Sequence, residues 1–237
     1  MPNEVILIIS VAVIFSITVF ASRFFGENGL IAWNAVATVL ANIEVLLLVR
    51  AFGMEQTLGN ILFASTFLTT DILNEMYGKK AAARAVYISV AASVCFILIS
   101  QSWLLYTPSA DDWARESFDV IFGFMPRIVG ASLVVYAVSQ RFDVWLYAFF
   151  WKLTERKFKD KKPALWLSNC GSTLTSQLLN TVLFTLGAFW GVYEGSVLMS
   201  IMAVTFGVYV ATSLLDTPFI YLARKLGKPR ERGAASR

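Results

Sequence analysis

The sequence predicts an all-α polytopic membrane protein, a bundle of about seven transmembrane helices. Two observations carry this. Seven long apolar stretches fill the chain, near 4–24, 30–50, 56–77, 83–106, 120–150, 165–190 and 197–224. Each reaches the ~20 residues that a helix needs to cross a hydrocarbon core about 30 Å thick. The composition agrees: 57% of residues are hydrophobic and 15% charged, with a mean hydropathy of +0.64. A soluble domain has no use for so much apolar sequence. The 237 residues read as one integral membrane domain, with loops too short to fold by themselves.

The basic residues predict the orientation. Segments 23–29, 78–84, 152–163 and 224–237 hold 1, 3, 6 and 6 Lys and Arg, which is 16 of the 20 in the chain. The opposite set holds only Arg50 and Arg115, and Arg127 and Arg141 lie within the fifth stretch. Cytoplasmic loops carry the Lys/Arg excess. The N-terminus is therefore expected outside and the C-terminus inside, with the acidic loop of Asp111, Asp112, Glu116 and Asp119 facing out. This sorting accounts for the net charge of +4 and the basic tail, so no nucleic-acid binding is expected.

Several classes are disfavoured. No Lys or Arg precedes Arg23, so the first stretch reads as a retained helix and not as a signal peptide. The chain has no histidine, which removes His metal ligands and His proton relays. No metal site and no cofactor are expected. Cys95 and Cys170 lie in apolar segments and read as small core residues. There is no GxxxxGK[ST] motif for ATP hydrolysis. Retinal proteins need a lysine midway along the last helix; this one has Asp216 and no lysine before Lys225.

Function should lie with the polar residues that the membrane segments retain. A charge at mid-bilayer costs at least about 2.5–3.5 kcal/mol on insertion scales, so such groups face the bundle interior and mark sites. In the second helix, Glu44 stands beyond a weaker stripe of Asn34, Thr38 and Asn42, with Trp33 alongside. In the third, Asp71, Asn74 and Glu75 fall at i, i+3 and i+4 and share one face. Two carboxylates and an amide there suit the N–H edge of a heterocycle, or a cation; a polar helix end near water is the structural alternative.

The fifth helix carries Arg127, then Ser132, Tyr136, Gln140 and Asp143 on one face. Arg127 is 13 residues, about 20 Å, from Gln140 and points elsewhere, so an ion pair with Glu44 or Asp119 is its structural alternative. The sixth helix has the most complete polar stripe: Asn169, Ser172 or Thr173, Gln177, Asn180 and Thr181, then Phe184. Amides both donate and accept, which suits a purine-like edge; helix–helix bonding is the alternative. In the seventh, Asp216 precedes Thr217 and Pro218, where a kink builds space. Trp33, Tyr136 and Phe184 are the candidates for stacking on a planar solute.

The chain resembles the queuosine precursor transporter family, also called the vitamin uptake transporter family. The likeness rests on three blocks: ASTFLTTDILNEMYG at 64–78, RIVGASLVVYAVSQRFDV at 127–144, and the Ser/Thr/Asn/Gln-rich helix at 168–189. It covers about residues 30–225, so the first helix looks like the extra span that longer members add to a six-helix core. The resemblance implies import of 7-deazaguanine bases, precursors of queuosine for tRNA modification salvage, across the bacterial cytoplasmic membrane. Read this way, Asp71, Asn74, Glu75, Arg127, Tyr136, Gln140, Asn169, Gln177 and Asn180 are the substrate-binding candidates. Asp143, Asp216 and Glu44 are the candidates for moving a proton or ion. The expected partners are a purine-like base and the lipid bilayer; a homo-oligomer and importer partner subunits are both left open. So are two other readings: the binding subunit of an ATP-driven vitamin importer, and a membrane enzyme or sensor.

Overall fold

The computed structural model describes residues 2–155 and 161–226, and within these the side chains other than those at 137, 140, 141, 143, 144, 147, 148, 150–155, 161–173, 213, 214, 216 and 217. The order of elements is α1 (Asn3–Glu44), β1 (Leu48–Ala51), β2 (Met54–Thr57), α2 (Gly59–Tyr77), α3 (Lys79–Leu104), α4 (Arg115–Glu155), α5 (Lys161–Phe189) and α6 (Gly195–Leu226). Helices dominate, as the apolar stretches require. Among the described residues, four are long and apolar enough to cross a membrane: Asn3–Glu44, Lys79–Leu104, Arg115–Tyr136 and Gly195–Thr212. The chain is a polytopic helical membrane protein.

The first two expected helices form one element with an elbow. α1 breaks at Gly26, where φ is 60° and ψ −138°. That backbone is left-handed, and glycine adopts it without the Cβ clash other residues suffer. The two arms, 3–25 and 27–44, pack on each other beyond the bend. Trp33 Nε1 of the second arm donates to Thr18 Oγ1 of the first at 2.8 Å. The other side of the elbow is an apolar cleft lined by Ile17, Phe20, Phe24, Phe25 and Val36, with Asn28 the one strongly polar residue along it. Of the candidates, only the stacking candidate Trp33 lines it.

The expected helix 30–50 ends at Glu44, and an antiparallel hairpin follows. The protein is thus not wholly α. Arg50 pairs with Glu55 across the hairpin, and Ala51 with Met54. The two residues between them, Phe52 and Gly53, both have positive φ, 53° and 76°, as a type I′ turn requires. The start of α1 holds the hairpin: Asn3 Nδ2 donates to the Arg50 carbonyl at 2.8 Å, and Glu4 Oε1 accepts the Phe52 N–H at 2.9 Å.

The chain divides into two compact units. The first runs from Met1 to Pro126 and includes α6 from Ala211 onward. Its core joins Phe15, Val19, Leu30 and Ile31 of α1 to Leu68, Ile72 and Leu73 of α2, Ala81 and Ala85 of α3, and Ala223 of α6. The buried residues of α3 are all Ala or Ser, which lets its backbone approach α1 closely. There Asn34 Nδ2 donates to Ser89 Oγ at 2.7 Å. The second unit is Arg127–Val210, taking in most of α4, all of α5 and the first half of α6.

Candidate functional site

The candidates fall in both units. In the first, α2 sorts its residues by face. Leu68, Thr69, Ile72 and Leu73 are fully buried, while Asp71, Asn74 and Glu75 stand together on the exposed face. The hydroxyls nearby are occupied by the helix itself: Thr69 Oγ1 donates to the Ser65 carbonyl at 2.7 Å and Thr70 Oγ1 to that of Phe67 at 2.9 Å. Glu75 accepts from Arg224 Nη1 of α6 at 3.3 Å. Both side chains of this pair are more than half exposed, so it adds little to stability. Among the described residues, no hydrogen bond or ion pair reaches the Asp71 carboxylate. Glu44 is half-buried in the last turn of α1.

Two members of the polar stripe of the second α1 arm bond within the helix. Thr38 Oγ1 donates to the Asn34 carbonyl at 2.7 Å, and Asn42 Nδ2 to that of Thr38 at 2.9 Å. Trp33, a stacking candidate, instead braces the two arms.

In the second unit, Arg127 sits at the crossing of α4 and α5. Its Nε donates to the Gly187 carbonyl at 3.0 Å and its Nη2 to the Trp190 carbonyl. These are carbonyls at the end of α5, where the last turn lacks helical partners and the dipole favours a cation. One turn on, Ala131 lies so close to Gly187 that a Cβ there would stand 3.2 Å from the Ala131 Cβ. The expected Asp119 partner is taken by Arg115, whose Nε lies 2.9 Å from Asp119 Oδ1. Arg115 also donates to the carbonyls of Leu104 and Tyr106 at 2.8 Å, at the end of α3. Two arginines of α4 thus cap two different helices.

Arg127→Ala is expected to lower stability by about 1 kcal/mol, since it removes two hydrogen bonds to exposed helix-end carbonyls. Unfolding in detergent would show this, with Arg127→Lys recovering part of the loss. Weaker solute binding at unchanged stability would instead make Arg127 a ligand.

Further along α4, Ser132 Oγ donates to the Val129 carbonyl at 2.9 Å, and Tyr136 is half-buried. On α5, Gln177, Asn180 and Phe184 are half-buried, whereas Thr181 is buried. Thr181 Oγ1 donates to the Gln177 carbonyl at 2.8 Å. Gln177 Oε1 is buried and has no hydrogen-bond partner. Gln140 and Asp143 lie on α4, Asn169 on α5 and Asp216 on α6; their side chains are outside the described residues. Ser139 was not among the sequence candidates, yet its hydroxyl is also buried without a partner. Its place, one turn after Tyr136 and beside Gln140, was the available signal.

A family model described as "Putative vitamin uptake transporter" matches residues 57–223. The chain belongs to this family. It is also 36% identical to the "Probable queuosine precursor transporter" of Bacillus subtilis (strain 168), over 220 residues that cover 93% of this chain and 94% of the relative. Identity to the "Queuosine precursor transporter" of Escherichia coli (strain K12) is 31% over 153 residues, 63% of this chain and 62% of the relative. No solved structure matches it. The family match begins at the last residue of β2, so α1 and β1 lie before it. It takes in both the exposed face of α2 and the α4–α5 crossing. Membership makes the chain a multi-pass bacterial membrane transporter of a small solute.

Proposed function

We propose that the protein imports 7-cyano- or 7-aminomethyl-7-deazaguanine, precursors of queuosine, across the bacterial cytoplasmic membrane. What carries this reading is the 36% identity to the Bacillus subtilis relative along 93% of the chain. The geometry supports it at Gln177, whose unpartnered Oε1 is an acceptor suited to a ring N–H. In this reading Gln177, Asn180 and Asn169 of α5 bind the edges of the base, with Tyr136 and Gln140 of α4 beside them. On the first unit, Asp71, Asn74 and Glu75 are a separate set of acceptors suited to a solute's amino groups. Asp143, Asp216 and Glu44 are the groups proposed to move a proton or ion.

The accompanying topology is seven crossings, the two arms of α1 counting as two, with the N-terminus outside and the C-terminus in the cytoplasm. Its support is the placing of 16 of the 20 Lys and Arg on one set of connections.

Thermal unfolding of the purified protein tests the substrate. At 100 times its Kd, a bound ligand stabilises by about 2.7 kcal/mol. Both deazaguanines are expected to raise the melting temperature, and guanine to raise it less. A folded protein that none of them stabilises would overturn the assignment and leave a transporter of another solute.

A further inference from the structure

Among the described residues of the second unit, two side-chain atoms are sealed from solvent with no hydrogen-bond partner: Ser139 Oγ on α4 and Gln177 Oε1 on α5. Ser139 is 8% exposed. A helical serine in an apolar setting ordinarily returns its hydroxyl to a carbonyl one turn back, as Ser132 does. Ser139 does not, and a buried polar group left unbonded costs about 1–3 kcal/mol.

The two atoms sit at matching depth. The Arg127 clamp ties the Arg127 end of this part of α4 to the far end of α5, and four residues on, Ala131 meets Gly187, three back from Trp190, the stepping of an antiparallel pair. Ser139 is 12 residues along α4 from Arg127, about 18 Å, and Gln177 is 10 residues back along α5 from Gly187, about 15 Å. The difference is less than one helical turn.

Their chemistry is complementary and ordered. An amide oxygen only accepts, whereas a hydroxyl can donate. Side by side they fit a ring N–H next to a ring carbonyl, the lactam edge of a 6-oxopurine or 7-deazaguanine. A 6-amino ring presents the reverse pattern, a ring nitrogen acceptor beside an amino donor. We propose that Ser139 is a specificity residue, donating to the carbonyl of the substrate's lactam while Gln177 accepts the neighbouring N–H. This rests on the 7-deazaguanine reading above and extends it to a residue and an edge. Both atoms are closed off in this conformation, so the base meets them after α4 and α5 part, and alternating access supplies such a movement.

The test compares two ligands on the purified full-length protein: 7-aminomethyl-7-deazaguanine and its 6-deoxo analogue, which lacks the carbonyl. Wild type is expected to prefer the oxo compound. Ser139→Ala is expected to weaken the oxo compound about three- to tenfold, the usual effect of one neutral hydrogen bond, and to leave the deoxo compound within about twofold. If alanine prevents folding, Ser139→Cys is nearly isosteric with a weak donor and carries the same expectation. Equal weakening of both ligands, or of neither, overturns the role of Ser139. Equal weakening together with a lower melting temperature of the free protein would mean that Ser139 serves the fold and not the substrate. Binding of neither ligand by wild type overturns the deazaguanine reading itself, and the lactam assignment with it.

Discussion

A single methyl group added at Gly59 is expected to destabilise the protein by about 2–4 kcal/mol. The Cβ of Gly59→Ala would stand 2.6 Å from the Ala41 carbonyl oxygen and 2.8 Å from the Val45 nitrogen. Both are backbone atoms of the α1 terminus, so no side chain can swing aside. Overpacking of this kind costs about 1–3 kcal/mol and sometimes more, and here it wedges apart the two helices that frame the first unit. Gly123→Ala is the control. Gly123 is also helical, but its added Cβ meets nothing within 4 Å, so it should be neutral or stabilise by up to about 1 kcal/mol. Unfolding of both variants in the same detergent would measure the difference. Equal stability would mean that α1 and α2 do not meet as closely as described.

The second large effect is expected in transport. Gln177→Ala with Asn180→Ala should reduce uptake of 7-aminomethyl-7-deazaguanine by at least about 30-fold. Each change leaves polar atoms of a desolvated base without partners, at about 1–3 kcal/mol apiece. Reconstituted vesicles report uptake directly, and the melting temperature of the free protein separates loss of binding from loss of folding. Removing Gln177 also removes a buried unpartnered oxygen, so the double variant should fold at least as well as wild type in that region. Undiminished uptake would take α5 out of the site.

Some of this arrangement was legible in the residues. The face of α2 bearing Asp71, Asn74 and Glu75 follows from spacing alone, because three residues at i, i+3 and i+4 share a side of any helix. The stripe on α5 was likewise visible, though spacing could not say which of its members spend their hydrogen bonds at home. Thr181 does, whereas Gln177 Oε1 does not. The hairpin at 48–57 was hidden for a local reason. Its turn uses Phe52 with positive φ, and Phe-Gly is not among the Asn-Gly or Asp-Gly pairs that announce such turns. Leu48 and Val49 simply prolonged the apolar run before them. Arg127 shows another limit: an arginine in an apolar helix suggests a carboxylate partner, but helix-end carbonyls accept from it as well.

What the sequence by itself determined is the membrane class, the direction of the charge bias, the polar faces of single helices and the family. These follow from quantities that add residue by residue or repeat along one helix: transfer free energy, loop charge and periodicity. Only the tertiary structure decided the elbow at Gly26, the pairing of Arg127 with carbonyls 60 and 63 positions away, and which buried oxygens remain unbonded. Those depend on which backbone comes to rest against which. A hydrogen bond is won or lost over a few tenths of an ångström, and no local pattern in the chain encodes a distance between residues so far apart.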